Sequence, residues 1–433
     1  MKLKLKDLVK IKGGKRLPKG SNLQTIPNKH PYIKVKDMKN KFISLDGLEY
    51  VPDEIFTKIK NYIVNENDII ISIVGTIGLV SIIDSKLNNA SQTENCAKLS
   101  GLDYIDSEYL YYFLISEYGQ SEINKATVGA VQPKLPLYGI ENIEIDWKTR
   151  EDREKIIYIL RNIDNKIELN TQTNQTLEQI AQGIFKHWFI DFAPVHAKAN
   201  ALARGETTEQ AELATMACLS GKTVEKITAL KTQDPTAYHQ LQQTAAAFPS
   251  EFVETEMGEV PRGWEVKPIN EICRVVYGKG LPKNQLRASG YPVYGANGII
   301  GYYDQYLYEN RQVLVGCRGT VGQVYVSQPY SYITSNSLVI EYEKTTINLY
   351  FLELYLKSLD LSIFASGSVQ PQITIQNLLK LKILIPGKEI LDSFATLVEP
   401  IYQLTYKNDD EKKTLSETRD LLLPKLLNGE IEL

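Results

Sequence analysis

The 433 residues predict an α+β fold made twice: two similar α+β domains separated by two long helices that form an antiparallel coiled coil, with an internal pseudo-twofold repeat. Three observations predict it. Four short motifs recur in the same order along the chain. Two stretches carry apolar residues at alternating spacings of four and three. Between the motifs, Ile- and Val-rich runs are broken by glycine turns.

The motifs recur with a slowly falling offset. Gly13–Gly14–Lys15–Arg16–Leu17–Pro18–Lys19 resembles Gly278–Lys279–Gly280–Leu281–Pro282–Lys283, and Val74–Gly75–Thr76–Ile77–Gly78 resembles Arg318–Gly319–Thr320–Val321–Gly322. Asn95 lines up with Asn336, and Ala130–Val131–Gln132–Pro133 with Ser368–Val369–Gln370–Pro371. The offset is 264 at Leu17, 244 at Gly75, 241 at Asn95 and 238 at Val131, the drift that small loop deletions leave. Inside the first copy, Asp68–Ile71 and Leu79–Ile83 read as strands around the Gly75–Gly78 turn, and Ser107–Tyr118 as a helix. The second copy reads Gln312–Val315, Gly319–Gly322, Gln323–Val326 and a helix over Asn348–Leu359.

Each copy ends in a heptad pattern. The first seam is Ile156, Leu160, Ile163, Ile167, Asn170, Asn174, Leu177, Ala181, Ile184 and Trp188. The second is Ile390, Phe394, Leu397, Ile401, Leu404, Asn408, Glu411, Leu415, Thr418 and Leu422, at a constant offset of 234. Two amphipathic helices lying on a globular core would show a similar stripe; the constant offset and the length of each pattern favour a helix pair. A seam Asn lowers stability but fixes register and partner, which singles out Asn174 and its counterpart Asn408. Trp188, Phe189 and Phe192 follow the first seam and either cap the helix pair or meet another subunit. Between the copies, Thr207 or Thr208 caps a helix to about Leu219, and Asp234–Pro235 opens another through Ala247. The expected division is 1–147, first domain; 148–192, central helical region; 193–260, helical connector; 261–386, second domain; 387–433, C-terminal helical region.

Composition removes several function classes. Apolar residues make up 43% and charged residues 23%, ordinary for a globular protein. The four Cys form no C-x-x-C pair, and the four His show no metal-ligand spacing, so no metal site is expected. The charged N-terminus lacks the apolar core of a secretory signal, and the longest apolar run, Ile69 to Ile83, is short for a bilayer. A cytoplasmic protein without a membrane partner is expected. No phosphate loop, dinucleotide fingerprint or nucleophile elbow is present. Pro52–Asp53 with Asp84–Ser85–Lys86 mimics a nuclease carboxylate set, but the second copy has nothing comparable. No catalytic residue is assigned.

Charge is unevenly spread. The net is −3, yet residues 1–43 carry thirteen Lys/Arg against Asp7 and Asp37, a net of +11. Residues 274–337 are at +4, and residues 197–260 at −4. Because salt confines fields to about 8–10 Å, these patches outweigh the total. Lys10, Lys12, Lys15, Arg16 and Lys19 surround Gly13–Gly14 on a strand-to-loop turn; Lys34, Lys36, Lys39 and Lys41 follow on an extended segment. Lys suits phosphate, and glycines let backbone N–H groups approach it. In the second copy, ten of the 26 Tyr lie between 277 and 332, several around Gly295–Ala296–Asn297–Gly298. Tyr277, Lys279, Lys283, Tyr294, Asn297, Tyr302, Tyr303, Arg318 and Asn336 complete the candidate DNA-binding set. Asn pairs with adenine, and Arg318 at its turn suits guanine, which Val74 in the first copy cannot match. The helix-pair seam is carried by Ile156, Ile163, Ile167, Asn174, Leu397, Ile401 and Asn408.

With these residues in hand, the chain resembles the specificity subunits of type I restriction–modification systems over essentially its whole length. The carriers are the Leu17–Pro18–Lys19 entry, Tyr294–Gly–Ala–Asn–Gly–Ile–Ile–Gly301, Gly319–Thr320–Val321–Gly322, Ser368–Val369–Gln370–Pro371, Ala181–Gln182–Gly183–Ile184–Phe185–Lys186–His187–Trp188–Phe189 and Met257–Gly258–Glu259–Val260–Pro261–Arg262–Gly263–Trp264. The resemblance implies two target-recognition domains, one per half of a bipartite double-stranded DNA site. It implies helical regions that dock two modification subunits, which methylate adenine N6 from S-adenosylmethionine. Restriction subunits, ATP-dependent translocase and nuclease, would join them. The chain itself would be non-catalytic and hold no cofactor, with S-adenosylmethionine, ATP and Mg on the partner subunits. The first copy has His30–Pro31–Tyr32–Ile33–Lys34–Val35 in place of the Tyr-Gly-Ala-Asn-Gly stretch, so the site should be asymmetric. The alternative is a non-catalytic coiled-coil scaffold or adaptor that binds protein partners.

A helix of about 40 residues spans about 60 Å, and one duplex turn about 34 Å. Two such helices act as a ruler between half-sites one to two turns apart. Deleting one heptad from both helices is expected to change the spacer and leave the half-sequences alone; a spacer that stays fixed in a methylation map refutes the ruler.

Overall fold

The computed structural model describes residues 1–342, 345–367 and 370–431. Ser368 and Val369 of the repeated Val-Gln-Pro motif lie outside the described residues. The chain divides into two compact units. Unit 1 is Met1–Gln172 with Asn408–Leu433; unit 2 is Thr173–Lys407. The sequence division into five segments placed each long helix in a region of its own; here each helix contributes one part to each unit.

Unit 1 opens with β1 (Lys2–Lys4), β2 (Lys10–Gly13), β3 (Pro31–Ile33), β4 (Glu49–Tyr50) and helix α1 (Asp53–Ile59). It continues with β5 (Ile69–Ser72), β6 (Val80–Ile82), β7 (Ser91–Gln92) and β8 (Cys96–Ser100). Helices α2 (Tyr104–Ile115), α3 (Glu117–Ala126) and α4 (Leu137–Glu141) precede β9 (Glu144–Asp146) and the long α5 (Arg150–Phe185). The expected single helix to Tyr118 is split, because Ser116 leaves helical geometry and its hydroxyl caps α3 through the Gly119 N–H.

The connector is helical: α6 (Ala193–Ala203), α7 (Thr208–Ser220), α8 (Val224–Gln233) and α9 (Pro235–Ala247). Thr207 forms a capping box with Gln210, and the Asp234 carboxylate accepts the Ala237 N–H at 3.0 Å, the caps read from sequence. Met216, Ile227, Tyr238 and Ala245 form a small core of their own. A hairpin of β10 (Phe252–Thr255) and β11 (Gly258–Pro261) leads on.

The rest of unit 2 repeats unit 1. It contains β12 (Glu265–Pro268), α10 (Ile269–Ile272), β13 (Arg274–Tyr277), β14 (Tyr291–Gly295), β15 (Gly298–Tyr303), β16 (Val313–Gly316) and β17 (Val324–Val326). Then come β18 (Tyr332–Ile333), β19 (Ser337–Glu341), α11 (Leu349–Lys357), β20 (Ala365–Ser366), β21 (Gln372–Ile373), α12 (Ile375–Leu378), β22 (Lys382–Ile385) and the long α13 (Lys388–Asn428). Unit 1 has sheets β2-β8-β5-β6, β4-β3-β7 and β1-β9; unit 2 has β13-β19-β16-β17, β15-β14-β18 and β12-β22. The correspondence reaches the pairing sense, since β3–β7 and β14–β18 are both parallel and the other pairs antiparallel.

The helices pair antiparallel. In unit 1, Asp164 meets Arg419 at 3.0 Å and Asn170 meets Glu411 at 2.8 Å. In unit 2, Asn174 donates to the Thr405 carbonyl at 3.1 Å, and Phe185 packs on Phe394. Ile156, Leu160 and Asn408 are buried, and Ile163, Ile167 and Ile401 half-buried, as the seam requires. Leu397 is corrected: it is exposed, as is Leu404, and Val398 takes its place in the core. Trp188, Phe189 and Phe192 pack inside unit 2 against Phe248, Phe394 and Trp264, so they belong to its core. Among the described residues no helix is long and apolar enough to cross a membrane.

The opening glycine motif has a steric cause. A Cβ on Gly14 would sit 2.0 Å from the Thr93 carbonyl oxygen, and one on Gly278 2.3 Å from that of Thr334. Both chains cross at van der Waals limit, held by Lys15 N–H to Gln92 O at 3.0 Å and Lys279 N–H to Ile333 O at 2.9 Å. Gly14→Ala and Gly278→Ala are each expected to cost about 3 kcal/mol, read by thermal denaturation. Gly20→Ala, at φ +85° with open space around it, should cost only about 1 kcal/mol.

Candidate nucleic-acid interface

In unit 1 the basic opening divides into free and occupied cations. Lys10 and Lys12 sit two residues apart on β2 and share one exposed face. Lys15 is exposed, its Nζ 5.5 Å from the Tyr62 ring centre. Lys19 and Lys39 are also exposed. Arg16 pairs with Glu94 at 2.6 Å on the surface, a contact worth about 1 kcal/mol or less, so it does not lock the guanidinium. Burial alone would raise the Glu94 carboxyl; its backbone N–H, Arg16 and Thr93 outweigh that and hold it below its ordinary value.

Lys34 and Lys36 are corrected in part. Lys34 precedes and Lys36 lies within a tight turn, Val35–Asp37, instead of an extended segment. Both converge on Glu49, and the Lys34 hydrogen bond holds that carboxyl below its ordinary value. Lys41 is corrected outright. Its side chain is 12% exposed and reaches Glu108, itself 1% exposed, at 2.7 Å. A carboxylate that deep requires a cation, and Lys41 and Arg161 supply two.

Unit 2 also separates structural from presented residues. Tyr294 is corrected: it is 5% exposed, its hydroxyl accepts the Gln328 N–H at 2.9 Å, and it stacks on Tyr325. Tyr302 and Tyr303 are half-buried, Tyr303 edge-on to Tyr332. Tyr277, Lys279, Lys283, Asn297, Arg318 and Asn336 are exposed. Of these, three converge. The β14–β15 hairpin turns at Ala296–Asn297, and the Ala296 carbonyl lies 2.8 Å from where a Gly316 Cβ would be. The Asn336 carbonyl accepts the N–H groups of Cys317 at 2.9 Å and Arg318 at 3.4 Å. Asn297, Arg318 and Asn336 therefore rim one turn, whose Gly319 and Gly322 have φ of +83° and +84°. Arg318 Nε donates to Gln372 Oε1 at 3.1 Å. Gln372 was not singled out from sequence. Nor was Lys134, its counterpart in unit 1, which bridges Val74. The signal was present: Val131–Gln132–Pro133 is followed by Lys134 where the second copy has Gln372. An exposed ring cluster joins Tyr291 and Tyr306, two of the tyrosines that the sequence places around the Gly295–Gly298 turn, to Tyr330, which was not singled out, with centroids 4.9 and 5.3 Å apart.

The chain is similar to known proteins in sequence and fold. The type I restriction modification DNA specificity domain matches residues 1–179 and 261–411. The chain belongs to the type I restriction–modification DNA specificity family. It is 36% identical over 364 residues to the HindI specificity subunit of Haemophilus influenzae, covering 75% of this chain and 77% of that protein. The MjaIX specificity subunit of Methanocaldococcus jannaschii is 24% identical over 453 residues, covering 99% and 92%. Among solved structures, the type I restriction-modification S subunit from M. genitalium has a TM-score of 0.53 at 17% identity, covering 98% of this chain and 95% of its own, a likeness of fold. As a specificity subunit the chain serves DNA sequence recognition and is a non-catalytic part of its complex. The nuclease-like carboxylates have separate duties: Asp53 faces Asn28 and His30, and Asp84 caps the turn at Ser85–Leu87. Among the described residues no group of three or more His, Cys, Asp or Glu is placed to hold a metal.

Within this specificity subunit, Lys41→Met should cost about 2 kcal/mol of stability and leave the salt dependence of DNA binding unchanged. Lys15→Ala should leave stability within about 0.5 kcal/mol and reduce the salt slope by about one. Melting curves and binding across a salt series check both.

Proposed function

We propose that the chain reads a bipartite, asymmetric DNA site, one half-sequence per unit, and docks two adenine-N6 modification subunits and the restriction subunits. One observation carries this reading. Two units of the same strand order carry different side chains at the same turn, a half-buried Val74 in one and an exposed Arg318 in the other. A duplicated scaffold with unlike reading surfaces suits an asymmetric target. The exposed Lys of residues 10–19 and 279–283 supply phosphate contacts that position without reading.

Docking draws on apolar side chains left in solvent along the helices. In unit 1 these are Tyr158, Leu169 and Leu421; in unit 2 they are Ile180, Leu397 and Leu404. S-adenosylmethionine, ATP and Mg act on the partner subunits, in the cytoplasm where those substrates and the DNA are. Replacing residues 261–386 with the equivalent segment of another specificity subunit is expected to change one half-sequence only. Mapping methylated adenines reads it; a change in both halves refutes the modular reading.

A further inference from the structure

The turn that Gly75 and Gly319 build is framed identically in the two units. Ile73 N–H bonds to Asn95 O at 2.8 Å, and Cys317 N–H to Asn336 O at 2.9 Å. Leu135 N–H bonds to Ile73 O at 3.0 Å, and Ile373 N–H to Cys317 O at 3.1 Å. So position 74 corresponds to 318, and 134 to 372. Each turn carries a facing pair: Val74 with Lys134 through a β-bridge, and Arg318 with Gln372 through a hydrogen bond. Each pair contains one cation, but on opposite members.

We propose that these two pairs are the base-reading elements of their units, with Arg318 reading a guanine and Gln372 positioning it, while Lys134 supplies the cation in unit 1. The inference rests on the DNA-reading function proposed above and assigns residues within it. Arg318 is exposed, and its bond to Gln372 uses Nε, so that bond consumes neither terminal nitrogen of the guanidinium. Guanine offers O6 and N7 as paired acceptors in the major groove, and Arg is their commonest bidentate partner. A fixed Nε restricts rotation of the guanidinium, lowering the entropy lost on pairing. Lys134 is a point charge on the facing strand and meets single acceptors such as guanine N7 or O6 without the fork geometry. Val74 is half-buried against the unit 1 core, and the part of it left in solvent is apolar and suits a thymine methyl. The pairs thus differ in which edge of a base step they can recognise, while the backbone beneath is shared.

The test uses the complex with its modification subunits, methylated-adenine mapping, and binding to duplexes that vary one base pair of the mapped site. Arg318→Ala should lower discrimination at one guanine of one half-site by about tenfold to a hundredfold, leaving the other half-site unchanged. Arg318→Lys keeps the charge and should still lose most of that discrimination. Gln372→Ala should relax the same position with the salt slope unchanged. Lys134→Ala should relax a position in the other half-site only. Uniform weakening across all sequences with the salt slope reduced by about one would make these phosphate contacts and overturn the proposal, as would an unaltered recognition sequence. A wild-type complex that binds all duplexes alike overturns the DNA-reading function itself, a result distinct from either.

Discussion

Neither globule can close its core without both long helices, and most of the architecture follows from that. Ile156, Ile157 and Leu160 at the start of α5 enter the unit 1 core beside Leu423, Leu426 and Leu427 from the end of α13. Ala181 and Phe185 at the end of α5, with Trp188 and Phe189 in the turn that follows, enter the unit 2 core beside Leu391, Phe394 and Val398 from the start of α13. A lone amphipathic helix of this length leaves its apolar stripe in water, and each fully buried Leu or Phe contributes about 1.5–3 kcal/mol. The chain order is therefore constrained: globule, helix, globule, helix, each helix serving two cores. The π-turn at Lys186–Ile190 ends α5 inside this aromatic cluster, adding a residue to the turn where Trp188 and Phe189 pack.

The two copies keep a buried carboxylate and change its counter-charges. Asp103 caps α2 and Asn348 caps α11, and five residues on, Glu108 and Glu353 are both buried. Glu108 is answered by Lys41 and Arg161. Glu353 is answered within its own helix by Lys357 at 3.0 Å, which also reaches Glu178 on α5 at 2.8 Å. Burying an ion pair contributes little net stability, whereas removing one partner is costly. Such a pair specifies which helix face meets the globule more than it adds to the energy. That explains why Lys41, one of thirteen basic residues in the first 43, is diverted from the surface.

What the sequence made legible were features that repeat or are local. The falling offsets predicted two globules of one topology, and strand order and pairing sense agree down to the parallel β3–β7 and β14–β18 pairs. Caps at Thr207 and Asp234 were local and readable. The α13 seam was half right. Phe394, Ile401 and Asn408 face inward, but at 397/398 and 404/405 the more apolar Leu was chosen, and the structure turns Val398 and Thr405 inward instead. A straight helix drifts about 20° per heptad, so two adjacent residues compete for the same seam position, and hydrophobicity alone does not decide between them. Cation assignments failed where the partner was distant: Glu49 is 15 residues from Lys34, and Glu108 lies on another element from Lys41. Tyr294 failed because a Tyr beside a turn glycine reads alike whether its hydroxyl bonds to backbone or to solvent.

Under the proposed function, the turn at Gly75 and Gly319 lets such a scaffold change target without changing fold. Its path is set by backbone groups: the Asn95 and Asn336 carbonyls, the N–H groups of Leu135 and Ile373, and glycines at positive φ that tolerate no side chain without strain. None of these contacts uses the side chains at 74, 134, 318 or 372. Lys134 and Arg318 are exposed, while Gln372 is half-buried and Val74 rests against the unit 1 core, and exchange of Val and Lys for Arg and Gln leaves the hydrogen-bond frame as it was. Stability resides mainly in the main chain and the helix-shared cores; under the proposed function, recognition resides in the side chains at the turn. The separation is physical, because a surface side chain outside the core changes stability by only about 0.5 kcal/mol, while one bidentate base contact changes discrimination by about 1–3 kcal/mol. Under that proposal, divergence at the exposed positions of the turn is nearly free for folding and decisive for the sequence read.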